Sequence, residues 1–437
     1  MKKLFISLIV LVAASAVSAQ TVLTIASVNN PNMEDMRDLS SIFEEANPDI
    51  ALEWLFLDEG TLRSRLQTEV ATGGGSFDLV TVGAYETPLW AANDWIVSID
   101  GLAEANPDAA EGYDFDDILA PVRDMNSYNG ELYAVPFYAE SSFTMYNKRI
   151  LDEAGFTMPD APTWEEVAEI ACAVHDPDNG VYGIALRGKP GWGDNMAPIT
   201  TVANTFGAQW FDAEGRPQLD SPEWNEALTF YADLATRCGP PGLTGNSFNE
   251  SRQLMENGQA AIWVDATVAA GIMASSPAGP DLSQALAPVG PVEKGNAWLW
   301  SWNLGIPSSS ENQDAAFRFL TWATSKEYLE LVAAEKGWAA IPPGTRASTY
   351  ERQEYLDAAP FAEMTLNAIL KADPTDSTAN PTIAPGVQFV QIPEFSAIGT
   401  DVAQQVAAAL AGDVSVEEAL ARSQEIADEA MQDAGYY

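Results

Sequence analysis

Three tryptophans alternate in the stretch "GNAWLWSWNLGIPSSS" (295–310), at Trp298, Trp300 and Trp302. Successive side chains of a β-strand point to opposite faces, so a strand here would place all three indoles on one face. An indole offers an apolar wall with one N–H donor at its edge, which suits the C–H face of a hydroxylated ligand. We expect Trp302, next to the polar Asn303, to face such a ligand, and Trp298 to pack in the core.

Polar side chains that could bind hydroxyl groups follow several strand-like runs of the chain. A carboxylate accepts strong hydrogen bonds, a guanidinium provides fixed donors, and an amide does both. A hydroxyl in a closed cleft needs such a partner, because an unpaired buried polar group costs about 1–3 kcal/mol. The candidate ligand-binding residues, with the aromatic ones, are Asn29, Asn30, Glu59, Tyr85, Glu86, Glu140, Arg187, Trp192, Asn195, Asp265, Trp300, Trp302, Asn303 and Trp338.

Several candidates also have a plainer structural interpretation. Glu59 could be a solvated carboxylate at a helix start, Asn29 a turn residue, and Arg187 an ion-pair partner of Asp194. Glu140 is harder to explain in this way, because it interrupts the apolar run "PFYAESS" and a buried carboxylate needs a partner. We therefore expect Glu140 to have a functional role.

The first part of the chain alternates strand and helix patterns. "TVLTIASV", "IALEWLFLD" and "FDLVTVGA" are apolar runs typical of buried strands, with helical patterns between them. This order predicts a mostly parallel sheet flanked by helices. Ligands of such sheets bind beyond the carboxyl ends of the strands, where Asn29, Glu59 and Glu86 fall.

A second α/β pattern begins after the turn at Asn129 and Gly130. A long strand-like run, "ELYAVPFYAESSFTMYNK", precedes a helix from Trp164, a strand "VYGIAL", a helix from Pro222 and a strand "AAIWVDAT". A chain of 437 residues also exceeds what one hydrophobic core usually organises. We therefore expect two α/β lobes joined by extended segments, an arrangement that suits a hinge.

The N-terminus and the charge indicate where the protein works. "MKKLFISLIVLVAASAVSAQ" predicts a secretory signal peptide over residues 1–19, since its apolar run is shorter than the ~20 residues that a bilayer requires. The formal charge is −42, and removal of Lys2 and Lys3 would make it more negative. Such a surface repels nucleic acid and anionic lipid, so we expect no nucleic-acid partner.

The two cysteines, Cys172 and Cys238, fall at the ends of two helical patterns. An oxidising compartment favours a disulfide between them, and two buried free thiols are the alternative. His175 is the single histidine, so a zinc site is not expected. The run "DPDNG" lacks the spacing of a calcium loop. We expect no metal and no cofactor.

The mature chain resembles the extracellular solute-binding proteins of ABC sugar importers, the group of maltose-binding protein. The resemblance rests on "SIFEEANPDI", "FDLVTVG", "YAVPFYAESSFTMYNKRIL" and "APTWEEV". Within this group it is most similar to the sorbitol/mannitol (polyol) binding proteins, on "IASVNN", "AYETPLW", "GIALRGKPGWGDNMA", "WVDATVAA", "WLWSWNLGIP", "GWAAIPPGTR" and "GVQFVQIPEFSAIGTDV".

The resemblance implies the type II periplasmic binding protein fold, with three crossings between the lobes and a ligand cleft between them. The first lobe would comprise residues 20–137 and 303–344, and the second 138–302 and 345–437. Glu140 would correspond to a cleft carboxylate of maltose-binding protein.

The implied function is that of a monomeric periplasmic component, not an enzyme, which binds a small linear polyol such as sorbitol or mannitol. It would deliver this ligand to the transmembrane subunits of an ABC permease. The same fold could instead bind another sugar, an oligosaccharide or a sugar acid. A secreted glycoside hydrolase is a more distant alternative, because its mechanism also needs a pair of carboxylates in a cleft.

Overall fold

The computed structural model describes residues 20–437, and the predicted signal peptide at 1–19 lies outside the described residues. The strands form two main sheets and two short hairpin-like pairs. They are β1 (Thr21–Val28), β2 (Ile50–Leu57), β3 (Leu79–Gly83), β4 (Ser127–Tyr128), β5 (Glu131–Leu132), β6 (Ala134–Glu140), β7 (Ser142–Asn147), β8 (Tyr182–Ala185), β9 (Ala260–Ala266), β10 (Leu282–Leu286), β11 (Trp300–Gly305), β12 (Pro385–Gly386) and β13 (Phe389–Val390).

The α-helices connect these strands and cover the sheets. They are α1 (Pro31–Leu39), α2 (Ser41–Ala46), α3 (Glu59–Thr72), α4 (Glu86–Ala92), α5 (Ile99–Ala105), α6 (Pro107–Ala110), α7 (Ala120–Met125), α8 (Lys148–Ala154), α9 (Trp164–Val174), α10 (Met196–Thr205), α11 (Pro222–Cys238), α12 (Phe248–Glu256), α13 (Ala269–Met273), α14 (Gln313–Ala323), α15 (Lys326–Lys336), α16 (Gln353–Ala358), α17 (Ala362–Lys371), α18 (Phe395–Ala411) and α19 (Val416–Asp433).

The first sheet has the strand order β2-β1-β3-β11-β6. Strand β1 is parallel to β2 and β3, and β11 runs antiparallel to both of its neighbours, β3 and β6. The side chains at Leu23, Ile25 and Leu79 are fully buried because helices cover the sheet. This sheet is built by the first three predicted strands together with two strands from later in the chain.

The second sheet has the order β10-β7-β9-β8. Strands β8 and β9 are parallel, whereas β7 runs antiparallel to both β9 and β10. Strand β6 ends at Glu140 and β7 begins at Ser142, so the chain passes from the first sheet to the second at Ser141.

The predicted fold class, α/β with two mostly parallel sheets flanked by helices, is confirmed. In the first sheet only β11 runs against the other strands, and in the second sheet only β7 does so. Strand β11 joins the first sheet from an extended segment that connects the lobes, and such a strand needs no parallel crossover.

The contacts between elements show which sheet the segments near the predicted lobe boundaries pack with. Strand β11 lies wholly in the first sheet, and helix α17 contacts β6 of that sheet. Helix α19 contacts α11, which packs against β8 of the second sheet. The segment just after Gly344 also lies with first-sheet elements, since the Leu119 N–H donates to the Thr345 carbonyl.

A disulfide joins Cys172 at the end of α9 to Cys238 at the end of α11. Both helices pack against β8 and against each other, so the bridge lies among the second-sheet elements. Across residues 20–437 the structure contains no helix with the length and apolar character needed to cross a membrane.

Candidate functional site

A cavity of about 240 Å³ lies where the two sheets face each other. Its walls come from the carboxyl ends of β1, β2, β6 and β9, from the start of β11, and from the loop after β8. These are the positions at which α/β sheets place ligands. The cavity is smaller than the roughly 300–1,000 Å³ of sites for drug-sized molecules, and therefore suits a small ligand.

The structure brings most of the sequence-predicted residues to this cavity and leaves five outside its lining. Those that line it are Asn29, Asn30, Glu59, Glu140, Arg187, Trp192, Asp265, Trp300 and Trp302. Those that do not are Tyr85, Glu86, Asn195, Asn303 and Trp338.

Strand ends explain how the polar groups of the first lobe reach the cavity. Asn30 follows β1 and caps α1, where its Oδ1 accepts from the Met33 N–H at 3.0 Å. Its Nδ2 donates to the hydroxyl oxygen of Tyr138 at 3.1 Å, which fixes that hydroxyl beside the cavity. Burial raises the pKa of Tyr138 well above 10, so the phenol stays protonated and can donate.

The tryptophan wall is formed by β11 and by the residues directly before this strand. Trp300 is paired with Glu140 and Trp302 with Tyr138 across the β11–β6 ladder. The two indoles meet edge to face at 5.8 Å between ring centroids. Trp298 precedes the strand and packs in the hydrophobic core, as expected, and it also borders the cavity.

Arg63 is a cavity residue that the sequence analysis missed. Its guanidinium carbon lies 4.2, 5.0 and 4.8 Å from the ring centroids of Trp192, Trp300 and Trp302, respectively. Arginine over an indole face is favoured by the ring quadrupole, more so away from water. The four side chains therefore pack together as one part of the wall.

Glu59 and Glu86 hold the Arg63 guanidinium in place. Arg63 Nη2 and Nε donate to Glu59 Oε1 at 2.8 and 3.1 Å, and Nη1 donates to Glu86 Oε1. Glu59 and Arg63 are four residues apart on α3, a spacing that places them on the same helix face. This spacing is the signal in the sequence that could have identified Arg63.

Arg187 and Asp265 form a buried pair on the opposite side of the cavity. Arg187 Nε donates to Asp265 Oδ2 at 2.8 Å, and Nη2 donates to Oδ1. The alternative pairing of Arg187 with Asp194 is not the one observed, since the Asp194 carboxylate accepts from Ser247 Oγ. Burial and the nearby Glu59 raise the pKa of Asp194 to about 6.

Glu140 ends β6 and is only 6% exposed. Burial raises the pKa of its carboxyl well above 4.5, and the neighbouring Asp265 and Glu59 act in the same direction, whereas Arg187 opposes them. The carboxyl therefore resists ionisation in the folded protein. Its Oε2 is buried and accepts no hydrogen bond from residues 20–437.

Three more buried polar atoms of the cavity lining share this condition. Trp164 Nε1, Asn249 Oδ1 and Gln388 Oε1 also have no hydrogen-bond partner within the described chain. Buried polar groups in native proteins are nearly always paired with protein or water, so a hydroxylated ligand in this cavity would supply partners for these four. One donor and three acceptors match the chemistry of hydroxyl groups.

Tyr85 and Glu86 support the cavity wall from behind. The Tyr85 hydroxyl donates to the Val390 carbonyl at 2.8 Å, and its ring packs on Trp192 with centroids 4.9 Å apart. The Glu86 carboxylate accepts a hydrogen bond from Arg63 Nη1.

The other three predicted residues have structural roles. Asn195 Nδ2 donates to the Ala403 carbonyl at 3.2 Å, and Asn303 Nδ2 donates to the Val82 carbonyl at 2.9 Å. Asn303 follows a register shift in β11, which a sequence pattern does not reveal. Trp338 lies under the Arg352 guanidinium, at 5.2 Å.

Two contacts join the lobes at the rim of the cavity. Asn249 Nδ2 donates to the Asn29 carbonyl at 3.1 Å, and Lys189 Nζ lies 3.6 Å from Asp58 Oδ1. Asn29 and Asp58 follow first-sheet strands, whereas Lys189 and Asn249 belong to second-sheet elements. The rim residues therefore link the two halves over the cavity.

Comparison with known proteins places this geometry in a family. The model of the bacterial extracellular solute-binding protein family matches residues 28–330. A mannitol-binding protein of Pseudomonas aeruginosa is 49% identical over 401 residues, which are 91% of this chain and 90% of that protein.

Solved structures agree with this assignment. One is a crystal structure of an ABC transporter solute-binding protein from Agrobacterium vitis S4 with bound D-mannitol. Its sequence is 47% identical to this chain and its TM-score is 0.92, over 95% of this chain and 99% of that one. An ABC transporter solute-binding protein from Agrobacterium radiobacter K84, in complex with ribitol, shares the fold at 24% identity and a TM-score of 0.82, over 94% of this chain and 99% of that one. The chain described here belongs to the bacterial extracellular solute-binding protein family.

Proposed function

We propose that this protein is the periplasmic substrate-binding component of an ABC importer and that it captures a small linear polyol of the sorbitol or mannitol type. The near-50% identity to a mannitol-binding protein over nine-tenths of both chains supports this substrate class. The relative with bound D-mannitol, at 47% identity, supports it independently. The bound protein would then hand its ligand to the permease.

The observation that carries the proposal is the group of four unpaired polar atoms in the cavity wall, from Glu140, Trp164, Asn249 and Gln388. Hydroxyl groups of a polyol can donate to the three oxygens and accept from the indole N–H. An unpaired buried polar atom costs about 1–3 kcal/mol, so a ligand that pairs them gains affinity.

The indoles supply the other half of the recognition. Trp300 and Trp302 present apolar surface to the cavity, and the carbon chain of a polyol has C–H groups that need such a surface. We propose that these rings pack against the ligand skeleton, whereas Asn30, Glu140 and Asp265 contact its hydroxyls.

The location and assembly state belong to the same proposal. A leader at residues 1–19 would be cleaved on export, and the chain would act as a monomer in the periplasm. The rim contacts between Asn249 and Asn29 and between Lys189 and Asp58 would hold the two lobes over the ligand.

A thermal-shift screen of the mature protein tests the proposed substrate class. A ligand that binds only the folded state raises Tm by mass action. D-Mannitol, D-sorbitol and D-arabitol should each raise Tm, and at least one of them should do so at micromolar concentration. A Tm that responds to maltose or to glucose but to none of the alditols would contradict the proposal.

A further inference from the structure

Every cation that lines the cavity already has a carboxylate partner. Within the described chain these cations are Arg63, Arg187 and Lys189. Both Asp265 oxygens accept from Arg187, and Lys189 lies 3.6 Å from Asp58. Both guanidiniums of the described lining are therefore engaged by carboxylates, and Lys189 lies near a carboxylate at the exposed rim.

Arg63 has two carboxylate partners. Its Nη2 lies 2.8 Å from Glu59 Oε1, and its Nη1 donates to Glu86 Oε1. The Arg63 side chain is 9% exposed and that of Glu86 is 12% exposed, so solvent screens this cluster little. Two carboxylates around one guanidinium leave an excess of negative charge directly behind the indole wall.

Glu86 differs from Glu59 in its position relative to the cavity. Glu59 lines the cavity, whereas Glu86 is the first residue of α4 and lies outside the lining. Gly83 makes this position possible, because a Cβ at Gly83 would overlap both Glu86 and the Trp300 ring. Glu86 can therefore affect the electrostatics of the site without contacting a ligand.

We propose that Glu86 determines the charge class of the ligand: by occupying Arg63 from behind, it makes the cavity accept uncharged polyols and reject anionic sugar acids. This inference rests on the proposed function and concerns the same cavity. A free guanidinium would be a strong bidentate partner for a ligand carboxylate. With Arg63 occupied, an entering carboxylate instead meets Glu59, and specificity arises from this repulsion.

Isothermal titration with two ligands of the same carbon skeleton, D-sorbitol and D-gluconate, tests the inference. The wild type should bind gluconate at least about 100-fold more weakly than sorbitol, because a buried charge without a partner is costly. In Glu86→Gln the ratio of gluconate affinity to sorbitol affinity should rise at least about tenfold, since Arg63 and Glu59 then balance each other and the excess negative charge behind the indole wall is gone.

Asp117→Asn provides the matched control. Asp117 is also a buried carboxylate next to an arginine, Arg346, and it lies outside the cavity lining. This variant removes the same unit of charge from the protein and should keep the wild-type affinity ratio. An equal rise of the ratio in Asp117→Asn would overturn the inference, because net charge alone would then explain it.

The remaining outcomes separate this inference from the proposed function. The inference is overturned if folded Glu86→Gln keeps the wild-type ratio of gluconate affinity to sorbitol affinity. It is also overturned if the wild type binds gluconate as tightly as sorbitol. If Glu86→Gln does not fold, Glu59→Gln is measured instead. This variant removes the other carboxylate partner of Arg63, so the ratio of gluconate affinity to sorbitol affinity must rise. A wild type that binds sugars but neither sorbitol nor mannitol contradicts the proposed function instead.

Discussion

Glu140 is a carboxyl group that the fold buries between a first-sheet strand and the Arg187–Asp265 pair. Its pKa is raised well above 4.5, mainly by burial. A proton is therefore held to higher pH in the folded chain than in the unfolded chain. The resulting contribution to stability is fully present below pH 4.5 and is lost as the pH rises toward the raised pKa.

Glu140→Gln removes this titration, so the variant should unfold at a higher temperature than the wild type at neutral pH in the absence of ligand. The difference in Tm should grow as the pH rises from 4.5 and vanish below it. Polyol affinity should fall by up to about tenfold, because the amide does not reproduce the hydrogen bonds of the protonated carboxyl and one neutral hydrogen bond is worth about 0.5–1.5 kcal/mol. Thermal unfolding across pH and isothermal titration measure the two effects.

Glu104→Gln changes an exposed carboxylate and serves as the control for Glu140→Gln. Its Tm should follow the wild-type pH dependence, and its affinity should be unchanged. A Glu140→Gln variant whose Tm tracks the wild type at every pH would show that the carboxyl at 140 is not the buried group described here.

Single residues could be predicted from the sequence where a strand end fixed their position. Glu140, Arg187 and Asp265 follow or end apolar runs, and all three line the cavity. Arg63 lies within a helix, and its position depends on how α3 packs against β1. Asn303 lies outside the cavity lining, where its amide donates to the Val82 carbonyl, and a register shift that no sequence pattern reveals lies directly before it.

Strand β11 is the element on which the aromatic wall depends. Its register against β6 pairs Trp300 with Glu140 and Trp302 with Tyr138, so one set of ladder bonds positions both wall and carboxyl. A slip of one residue would turn these side chains to the other face. Sequence patterns do not show that β6 and β11 lie side by side, because the two strands are far apart in the chain.

Trp302→Ala should remove most polyol binding, because the ligand skeleton loses one of its apolar contacts. A buried Trp→Ala change also costs about 3–5 kcal/mol of stability. Trp210→Ala is the matched control, since Trp210 is equally buried, packs edge to face on Trp224 and lies outside the cavity lining. Titration should show lost binding only in the first variant; equal affinities in both would refute the assigned role.

Gly83→Ala tests the junction between β3 and α4. The added methyl group would overlap Glu86 and the Trp300 ring, and overpacking of this kind typically costs about 1–3 kcal/mol. We expect a lower Tm together with weaker polyol binding, because Trp300 must move. Gly245→Ala, where no atom lies within 4 Å of the added Cβ, should behave as the wild type. Unchanged affinity in Gly83→Ala would contradict this packing.

At the scale of the whole molecule, the proposed ligand cavity lies between the two sheets, and the disulfide lies among the second-sheet elements. The bridge closes a segment of 66 residues between α9 and α11. Neither cysteine lines the cavity. The two-lobe organisation could be predicted from the repeated α/β pattern, whereas the return of the chain to second-sheet elements was expected only from the family resemblance, because no local pattern shows it.

Replacing both cysteines by alanine should lower the free energy of unfolding by about 4 kcal/mol, the loop-entropy expectation for a segment of this length. Polyol affinity should stay at the wild-type level, because the cavity is elsewhere. Urea unfolding and isothermal titration measure the two quantities. A loss of affinity without a loss of stability would mean that the bridge shapes the cavity instead.

The central claim is that a polyol binds in the cavity between the two sheets, and a crystal structure of the protein with D-mannitol tests it most directly. We predict one molecule in the cavity, with a hydroxyl oxygen within about 2.5–3.0 Å of the Glu140 carboxyl and the carbon chain against Trp300 and Trp302. A mannitol molecule bound outside this cavity, or a cavity that excludes it at saturating concentration, would contradict the account.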